Sequence, residues 1–195
     1  MPKKKKRPLV IGVGFSPRQG GNSDQMLEWA LAGAAAAGSR TRTIFMRDLE
    51  IGACRGCRYC ETAGECVQKD GFSEFCRTLE AADYLIVSSP VFFLNVPARA
   101  KAVIDRFQLH WSRKYLLGRP VKRENRPALA LMVSGADQAD IFECVKRTLW
   151  AWFSVAGFKS RQMIGLAGAD AKGAVSRVPG QERKIRRAAR KLVKA

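Results

Sequence analysis

Cys54, Cys57, Cys60 and Cys66 are spaced C-x2-C-x2-C-x5-C, which puts four of the six cysteines of the chain within thirteen residues. A soluble chain of 195 residues needs no disulfides so crowded, so the run is read as a ligand set. Zinc sites usually divide their ligands into two separated pairs, so that two loops can close a tetrahedron. Three cysteines in C-x2-C-x2-C instead wrap three corners of an iron-sulfur cube. In ferredoxins the fourth cysteine follows after three residues, precedes a proline and serves another cluster. Here Cys66 follows after five residues with no proline, which suits a self-contained four-ligand loop. Arg55, Arg58 and Tyr59 between the ligands suit a cluster of net negative charge. The spacing favours [4Fe-4S] and leaves open zinc, a redox-active thiol loop without metal, and chance clustering.

A second chemistry is written into Ser16-Pro-Arg18-Gln-Gly-Gly21-Asn22-Ser23, a turn-rich stretch between an apolar run and an amphipathic one. Strand, glycine-rich loop and helix make a phosphate-binding arrangement: the helix N-terminus presents unpaired N–H groups and a positive dipole end. Ser16, Arg18, Asn22 and Ser23 add side-chain donors. The stretch is neither G-x-G-x-x-G nor G-x-x-x-x-G-K-[ST], so a mononucleotide phosphate remains. The alternative is that Ser23 caps the helix and the glycines only turn. Asp24 is an awkward neighbour for a phosphate unless its side chain points outward. Further on, Pro90-Val-Phe92-Phe93-Leu-Asn95-Val-Pro97 is an apolar loop held out of regular structure by prolines. Such a loop at the C-terminal end of a parallel strand can line a flat aromatic ring, or it can tuck against the core. Asn95 is placed to cap the next helix, with Pro97 in its first turn.

Five strand-like runs alternate with helical patterns: 8–15, 40–46, 83–89, 127–134 and 159–166. Met26, Leu27, Ala30, Leu31 and Ala34 mark the first helix, which Gly38 ends. Phe75, Leu79 and Ala82 mark the second. A stripe of Ala100, Val103, Ile104, Phe107 and Trp111 predicts one helix after Pro97. Ile141, Val145, Leu149 and Trp152 mark a long one, and Ile185, Ala188, Ala189, Leu192 and Val193 a last one with a basic outer face. Cys76 and Cys144 are expected in the core, Asp105 and Arg106 as a structural ion pair or interface contact, and His110 as a surface or packing residue. This alternation predicts a doubly wound α/β fold, a flavodoxin-like five-stranded parallel sheet in the order 2-1-3-4-5, with the cysteine loop after the second strand. The loops after strands one, three and four then converge on a phosphate, a flat ring and the ring's polar edge, and in that fold the ligand is FMN.

The length suits one domain, here 8–195 after a basic tail at 1–7, with the cysteine loop at 52–70 inserted and a basic helix at 181–195. The formal net charge is +18, concentrated in Lys3 to Arg7 and in 181–195. Solvated charge explains these ends, and so does attraction to an acidic electron carrier or a nucleic acid. No apolar run reaches the roughly 18 residues of a membrane span, and Lys3 to Arg7 is followed by a strand-like segment, not a secretory core. A cytoplasmic protein with no membrane partner is expected, in a compartment where thiols stay reduced.

Ser16-Pro-Arg18-x-x-Gly21-Asn22-Ser23, the cysteine run, Ser89-Pro90-Val-Phe-Phe-x-Asn95-Val-Pro and Lys101-Ala-Val-Ile-Asp105-Arg106, in that order, resemble the NAD(P)H-dependent FMN reductase superfamily, and within it the iron-sulfur flavoproteins. The resemblance covers about Val10 to Gly135. It implies an FMN phosphate held by Ser16, Arg18, Gly21, Asn22 and Ser23. It implies an isoalloxazine held by Pro90, Val91, Phe92, Phe93 and Asn95, with Ser134 and Gly135 near its edge. It implies a [4Fe-4S] cluster on Cys54, Cys57, Cys60 and Cys66, near a flavin across a homodimer or homotetramer interface. Two positions depart from the family: Phe15 where glycine is usual before the serine, which would crowd the phosphate loop, and Asp70-Gly71 in place of paired acids, a change of small expected consequence. The implied activity is electron transfer between ferredoxin or NAD(P)H and a small-molecule acceptor such as a quinone, with the flavin carrying the chemistry and no side chain required as general acid or base. A plain NAD(P)H-dependent FMN or quinone reductase without a cluster is the runner-up. A basic nucleic-acid-binding or redox-sensing regulator that uses the cysteines for zinc is the alternative of another class, although no recognition helix or zinc-finger spacing supports it.

Overall fold

The fold is given by a computed structural model that describes residues 7–194; Lys3 to Lys6 of the basic tail lie outside them. The strands are β1 (Leu9–Gly14), β2 (Arg40–Phe45), β3 (Tyr84–Pro90), β4 (Arg126–Val133) and β5 (Phe158–Leu166). All pairings are parallel and the sheet order is β2-β1-β3-β4-β5, as the alternation of patterns predicts. Val10 pairs with Tyr84 and Leu85 with Ala128, so the near-continuous apolar runs lie in the middle of the sheet, where both faces are covered. β2 is an edge strand and exposes Arg40, Thr41 and Arg42, charge and β-branching that discourage pairing with another edge.

Because side chains alternate across a strand, each face collects its own core. On one face, Val10, Ile86, Leu129 and Leu131 pack against α1 (Asn22–Ala36) and α7 (Gln181–Leu192). α1 and α7 touch closely at Gly33, where a Cβ would stand 2.6 Å from the Arg186 carbonyl oxygen. On the other face, Ile11, Val13, Leu85 and Val87 pack against α3 (Phe72–Ala81), α4 (Ala98–Arg106), α5 (Gln108–Tyr115) and α6 (Glu143–Ala156). The five-residue α2 (Tyr59–Ala63) lies within the cysteine loop.

The single helix predicted after Pro97 is two. Phe107, with ψ 0°, closes α4 and opens α5 itself, and beyond it the buried face moves to Leu109, His110 and Ser112. Its ring fills the core edge-on to Phe72 and Trp152 and stacks on His110, which is thereby a packing residue. Trp111, expected on the buried stripe, is 39% exposed beyond that break. Cys144 is also exposed: it lies one residue, about 100° of helix, off the face formed by Val145, Leu149 and Trp152. Cys76 is buried, and burial pushes its thiol up to about 12, so it stays protonated and inert.

Arg126, at the start of β4, is the main polar tie of the second face. Its buried guanidinium donates to the carbonyl oxygens of Leu79 (2.7 Å), Ala82 (2.9 Å) and Ala156 (2.8 Å), the chain ends of α3 and α6. Helix C-termini leave such carbonyls unpaired and favour a cation. Burial, and then Arg123, lower the Arg126 pKa to about 10, so the charge persists at neutral pH. Arg126→Met is expected to destabilise the fold by about 3–5 kcal/mol, because several buried carbonyls lose their donor together. Urea unfolding checks this.

Candidate functional site

Two cavities gather the residues that can do chemistry. The first, of about 300 Å³, lies at the C-terminal end of the sheet and is lined from the loops after β1, β3, β4 and β5. In the first loop the Ser16 hydroxyl accepts the Arg18 N–H and donates to the Arg18 carbonyl, both at 3.0 Å, which tightens the turn into α1. The first backbone bond into α1 is Gln25 N–H to Gly21 O, so the N–H groups of Asn22 and Ser23 precede the helical ladder. Ser23 does not cap the helix: Gly21 is the N-cap residue, and no side chain caps there. Gly21 has φ −77° and an open side toward the loop, where a Cβ would come no closer than 3.6 Å to Arg18. Phe15 does not crowd this loop. Its ring turns down against Trp152, with centroids 5.6 Å apart.

Asp24 is buried and turned inward, contrary to the outward placement a phosphate loop was expected to need. Its carboxylate accepts the Gly20 N–H at 2.9 Å and pairs with Arg47 at 2.9 Å, and Arg47 also donates to the Ser16 carbonyl. Burial raises the Asp24 pKa against the opposing pull of Gly20 and Arg47. The pair cancels its charge locally, leaving the helix terminus and Arg18 to set the sign of the loop.

Asn22 uses its side chain as a strap. Nδ2 donates to the carbonyl oxygens of Ala169 and Ala171, both at 2.9 Å, and Oδ1 accepts the Val175 N–H. This brings the segment after β5 over the first loop, so Asp170 and Lys172 line the cavity with Gln19. The sequence reading missed these three residues. For Asp170 and Lys172 the available signal was the turn-rich stretch at 167–180, which follows a parallel strand at the same sheet end, whereas Gln19 lies within the first loop itself. Asn22→Ala is expected to lower stability by about 2–4 kcal/mol, since two carbonyls lose a buried partner, and to weaken FMN binding; thermal unfolding and flavin titration check both.

From the third loop Pro90, Val91 and Phe92 line the cavity, and from the fourth Val133 and Gly135. Phe93, Asn95 and Ser134 do not. Phe92 and Asn95 exchange two backbone bonds, and the residues between them take left-handed backbone, Phe93 at φ 46° and Leu94 at φ 62°. Non-glycine residues in that region each cost about 1–3 kcal/mol. The tip therefore neither tucks against the core nor faces the cavity; Phe93 is fully exposed. Asn95 does not cap α4, whose N-cap residue is Pro97; its Oδ1 accepts the Val96 N–H and the Thr148 hydroxyl. Ser134 is buried and its backbone pairs with Leu166 and Ala169.

The second cavity, of about 390 Å³, is lined by all four cysteines of the loop, Cys54, Cys57, Cys60 and Cys66, together with Arg55, Arg58, Gln68 and Arg106. Cys54 and Cys57 are exposed, whereas Cys60 and Cys66 are half-buried and packed on the core edge. Among the described residues no three of these side chains come close enough together to hold one ion. Arg58 turns to Glu61 at 2.9 Å, an exposed pair. The loop is pinned by Asp70, whose carboxylate accepts the N–H groups of Gly52 (2.9 Å) and Phe72 (3.1 Å) and pairs with Arg106 at 2.5 Å. Burial raises the Asp70 pKa, but these partners outweigh it and hold the carboxyl below its usual value. This stabilisation is present above pH 3.8 and is lost as pH falls through the lowered folded value. Asp70 is thus structural, not the inconsequential change expected. The expected pairing of Asp105 with Arg106 is absent: Asp105 pairs with Lys101 on the surface, while Arg106 turns inward.

The family model described as NADPH-dependent FMN reductase matches residues 8–159. An iron-sulfur flavoprotein of Archaeoglobus fulgidus is 38% identical over 110 residues, 56% of this chain and 50% of that protein. One of Methanosarcina thermophila is 33% identical over 127 residues, 65% of this chain and 63% of that protein. The chain thus matches half to under two thirds of the length of these relatives. Among solved structures, NAD(P)H:quinone oxidoreductase from Methanothermobacter marburgensis superposes with a TM-score of 0.70 at 21% identity, covering 95% of this chain and 96% of the other. An FMN-dependent NADH-azoreductase of Bacillus anthracis, solved with FMN, superposes with a TM-score of 0.71 at 16% identity, covering 96% of this chain and 100% of that one. These two likenesses bear on the fold alone.

Proposed function

The chain belongs to the NADPH-dependent FMN reductase family, and from that premise we propose that it is an FMN oxidoreductase that passes electrons between a reduced donor and an acceptor through a [4Fe-4S] cluster on its cysteine loop. The observation that carries the reading is the pair of cavities, one built around a helix N-terminus and the other lined by four cysteines. Both fit their groups. The Gly21 side of the first loop leaves backbone donors open to a phosphate, with Arg18 and Lys172 as cations beside them. A zinc ion needs four donors converging at about 2.0–2.3 Å, and no three of these side chains converge on one ion among the described residues, whereas four thiols lining one cavity of about 390 Å³ suit a larger group. Arg106 lines that space and donates from Nη2 to the Cys66 sulfur at 3.2 Å.

When bound, FMN supplies electron transfer singly or in pairs and the cluster supplies it one electron at a time. The chain does the rest. Asn22 and Ser23 offer N–H groups to the phosphate, and Arg18 fixes its charge. Pro90, Val91 and Phe92 form an apolar wall for the ring, and Gly135 lets the fourth loop approach Asp170 closely. No proton need be held by a side chain. NAD(P)H, or an acidic carrier such as ferredoxin docking on so basic a chain, is the proposed donor, and a quinone-like small molecule the proposed acceptor. That the two archaeal relatives are iron-sulfur flavoproteins supports the cluster. Among the described residues no helix is long and apolar enough to cross a membrane, and a cluster that depends on reduced thiols supports the cytoplasm as the proposed compartment. The exposed Phe93 and Leu94 are proposed to lie between copies of a homodimer or homotetramer; Phe93→Asp should then sediment at a smaller mass.

Cys54 and Cys57 open to solvent favour a second reading, the same flavin chemistry with no cluster. The flavin reading is tested by titrating flavin-free protein with FMN and with riboflavin. Two charge-assisted bonds to the phosphate, about 1.5–3 kcal/mol each, predict FMN tighter by at least about a hundredfold. Equal affinities would remove the phosphate site.

A further inference from the structure

Arg106 ends α4 and is 2% exposed, yet it is not a closed structural ion pair. One side of its guanidinium is satisfied: Nη1 donates to Asp70 at 2.5 Å, and the group stacks over the Phe72 ring at 4.4 Å. The other side faces sulfur. Nη2 donates to Cys66 Sγ at 3.2 Å, and Nε is buried with no acceptor among the described residues. A buried cation is costly unless its donors are paired. Asp70, itself shared with Gly52 and Phe72, offsets its charge, and the Gly52 and Gln68 carbonyl oxygens are longer contacts of Nη1 and Nη2 at 3.4 Å, so the Cys66 sulfur is the shortest partner of Nη2 where Arg106 lines the cavity of the four cysteines. The surface pair on the same helix, Lys101 with Asp105, has no such role: both side chains are nearly half exposed, where a pair is worth at most about 1 kcal/mol.

We propose that Arg106 is a positioning and potential-setting residue for the cluster: it holds the Cys66 sulfur by an N–H···S bond and raises the reduction potential of the group bound there. This rests on the cluster reading above. Hydrogen bonds to the sulfurs and local charge are what tune such a group within one ligand set. Adding an electron makes the cluster more negative, so a cation donating to a ligand sulfur stabilises the reduced form more than the oxidised form. Asp70 acts in the opposite sense, since its carboxylate offsets part of the Arg106 charge. Arg106 and Asp70 therefore form a dial with two directions. Both lie outside the ligand spacing, and Asp70 lies outside the motif shared by the four cysteines.

The test is an anaerobic potentiometric titration of iron-loaded protein, followed by the EPR signal of the reduced cluster, with the FMN potential read on the same samples. Arg106→Gln is expected to lower the ratio of reduced to oxidised cluster at a fixed potential about tenfold, equivalent to about 59 mV for a one-electron couple. Asp70→Asn is expected to shift it the other way. The FMN potential should stay in place in both. A purely structural Arg106 would change iron content and leave the cluster potential unmoved; that result, or shifts of the same sign, would overturn the proposal. If Arg106→Gln retains no iron, Asp70→Asn decides alone: a rise supports the proposal and no rise overturns it. Wild-type protein without iron would remove the cluster reading and this proposal together, and the iron assay separates that failure from the others.

Discussion

Cys57→Ser protein, purified without oxygen, is expected to carry FMN at the wild-type load and to lose its iron. Cys57 is the informative ligand to remove. It is exposed and makes no core contact, whereas Cys60 and Cys66 pack against the edge of the second core, where a change would mix ligation with stability. Serine keeps the size and the polarity of the side chain and removes the soft thiolate on which an iron-sulfur site depends. Groups that only support metal ligands are each worth about 10–100-fold in affinity, so loss of a ligand should exceed that. Iron analysis and the visible spectrum read the loss, and thermal unfolding should match that of wild-type protein stripped of its iron. Iron retained at the wild-type level would take Cys57 out of the ligand set.

Gly21→Val is the second large effect, and it falls on the other cavity. Gly21 has extended backbone that any residue adopts, and a Cβ there meets nothing nearer than 3.6 Å, so the fold tolerates a side chain. The space that side chain would fill is the floor of the loop before α1, the surface a phosphate must reach to meet the N–H groups of Asn22 and Ser23. Excluding two charge-assisted hydrogen bonds costs about 3–6 kcal/mol, or about a hundredfold to ten-thousandfold in FMN affinity. Riboflavin, which lacks the phosphate, should be affected far less. Lost FMN binding with only a small fall in melting temperature, since valine is a poorer N-cap than glycine, is the expected pair of results. Equal weakening of FMN and riboflavin would instead place the ring, not the phosphate, over Gly21.

The order of the sheet was legible because each strand reads as a short apolar run bounded by turn formers, and alternation with helices leaves few topologies. The cysteine loop was legible as spacing. What the residues alone did not reveal depends on long-range contacts. Phe107 divides one predicted stripe into two helices and moves the buried face after it to Leu109, His110 and Ser112, and no glycine or proline within α4 and α5 announces the break. Asn22, read as a phosphate donor, spends its amide on carbonyls about 150 positions away, and so Asp170 and Lys172 enter a cavity that the motifs assign to three other loops. Asp105 and Arg106 carry one expectation in the sequence, a structural ion pair or an interface contact, and the structure separates them. A helix places adjacent residues about 100° apart, and the inward one found Asp70 and Cys66 in a different loop. Phe93 was read as ring-lining because it is aromatic, but the two-residue turn that it shares with Leu94 lifts it away from the cavity into solvent.

The most direct test of the account is the stoichiometry of FMN, iron, sulfide and zinc in one anaerobically purified sample. The account predicts flavin with about four irons and four sulfides per chain and no zinc. Flavin without iron would contradict the cluster and leave a simple flavin reductase, and no flavin after reconstitution with FMN would contradict the central claim itself.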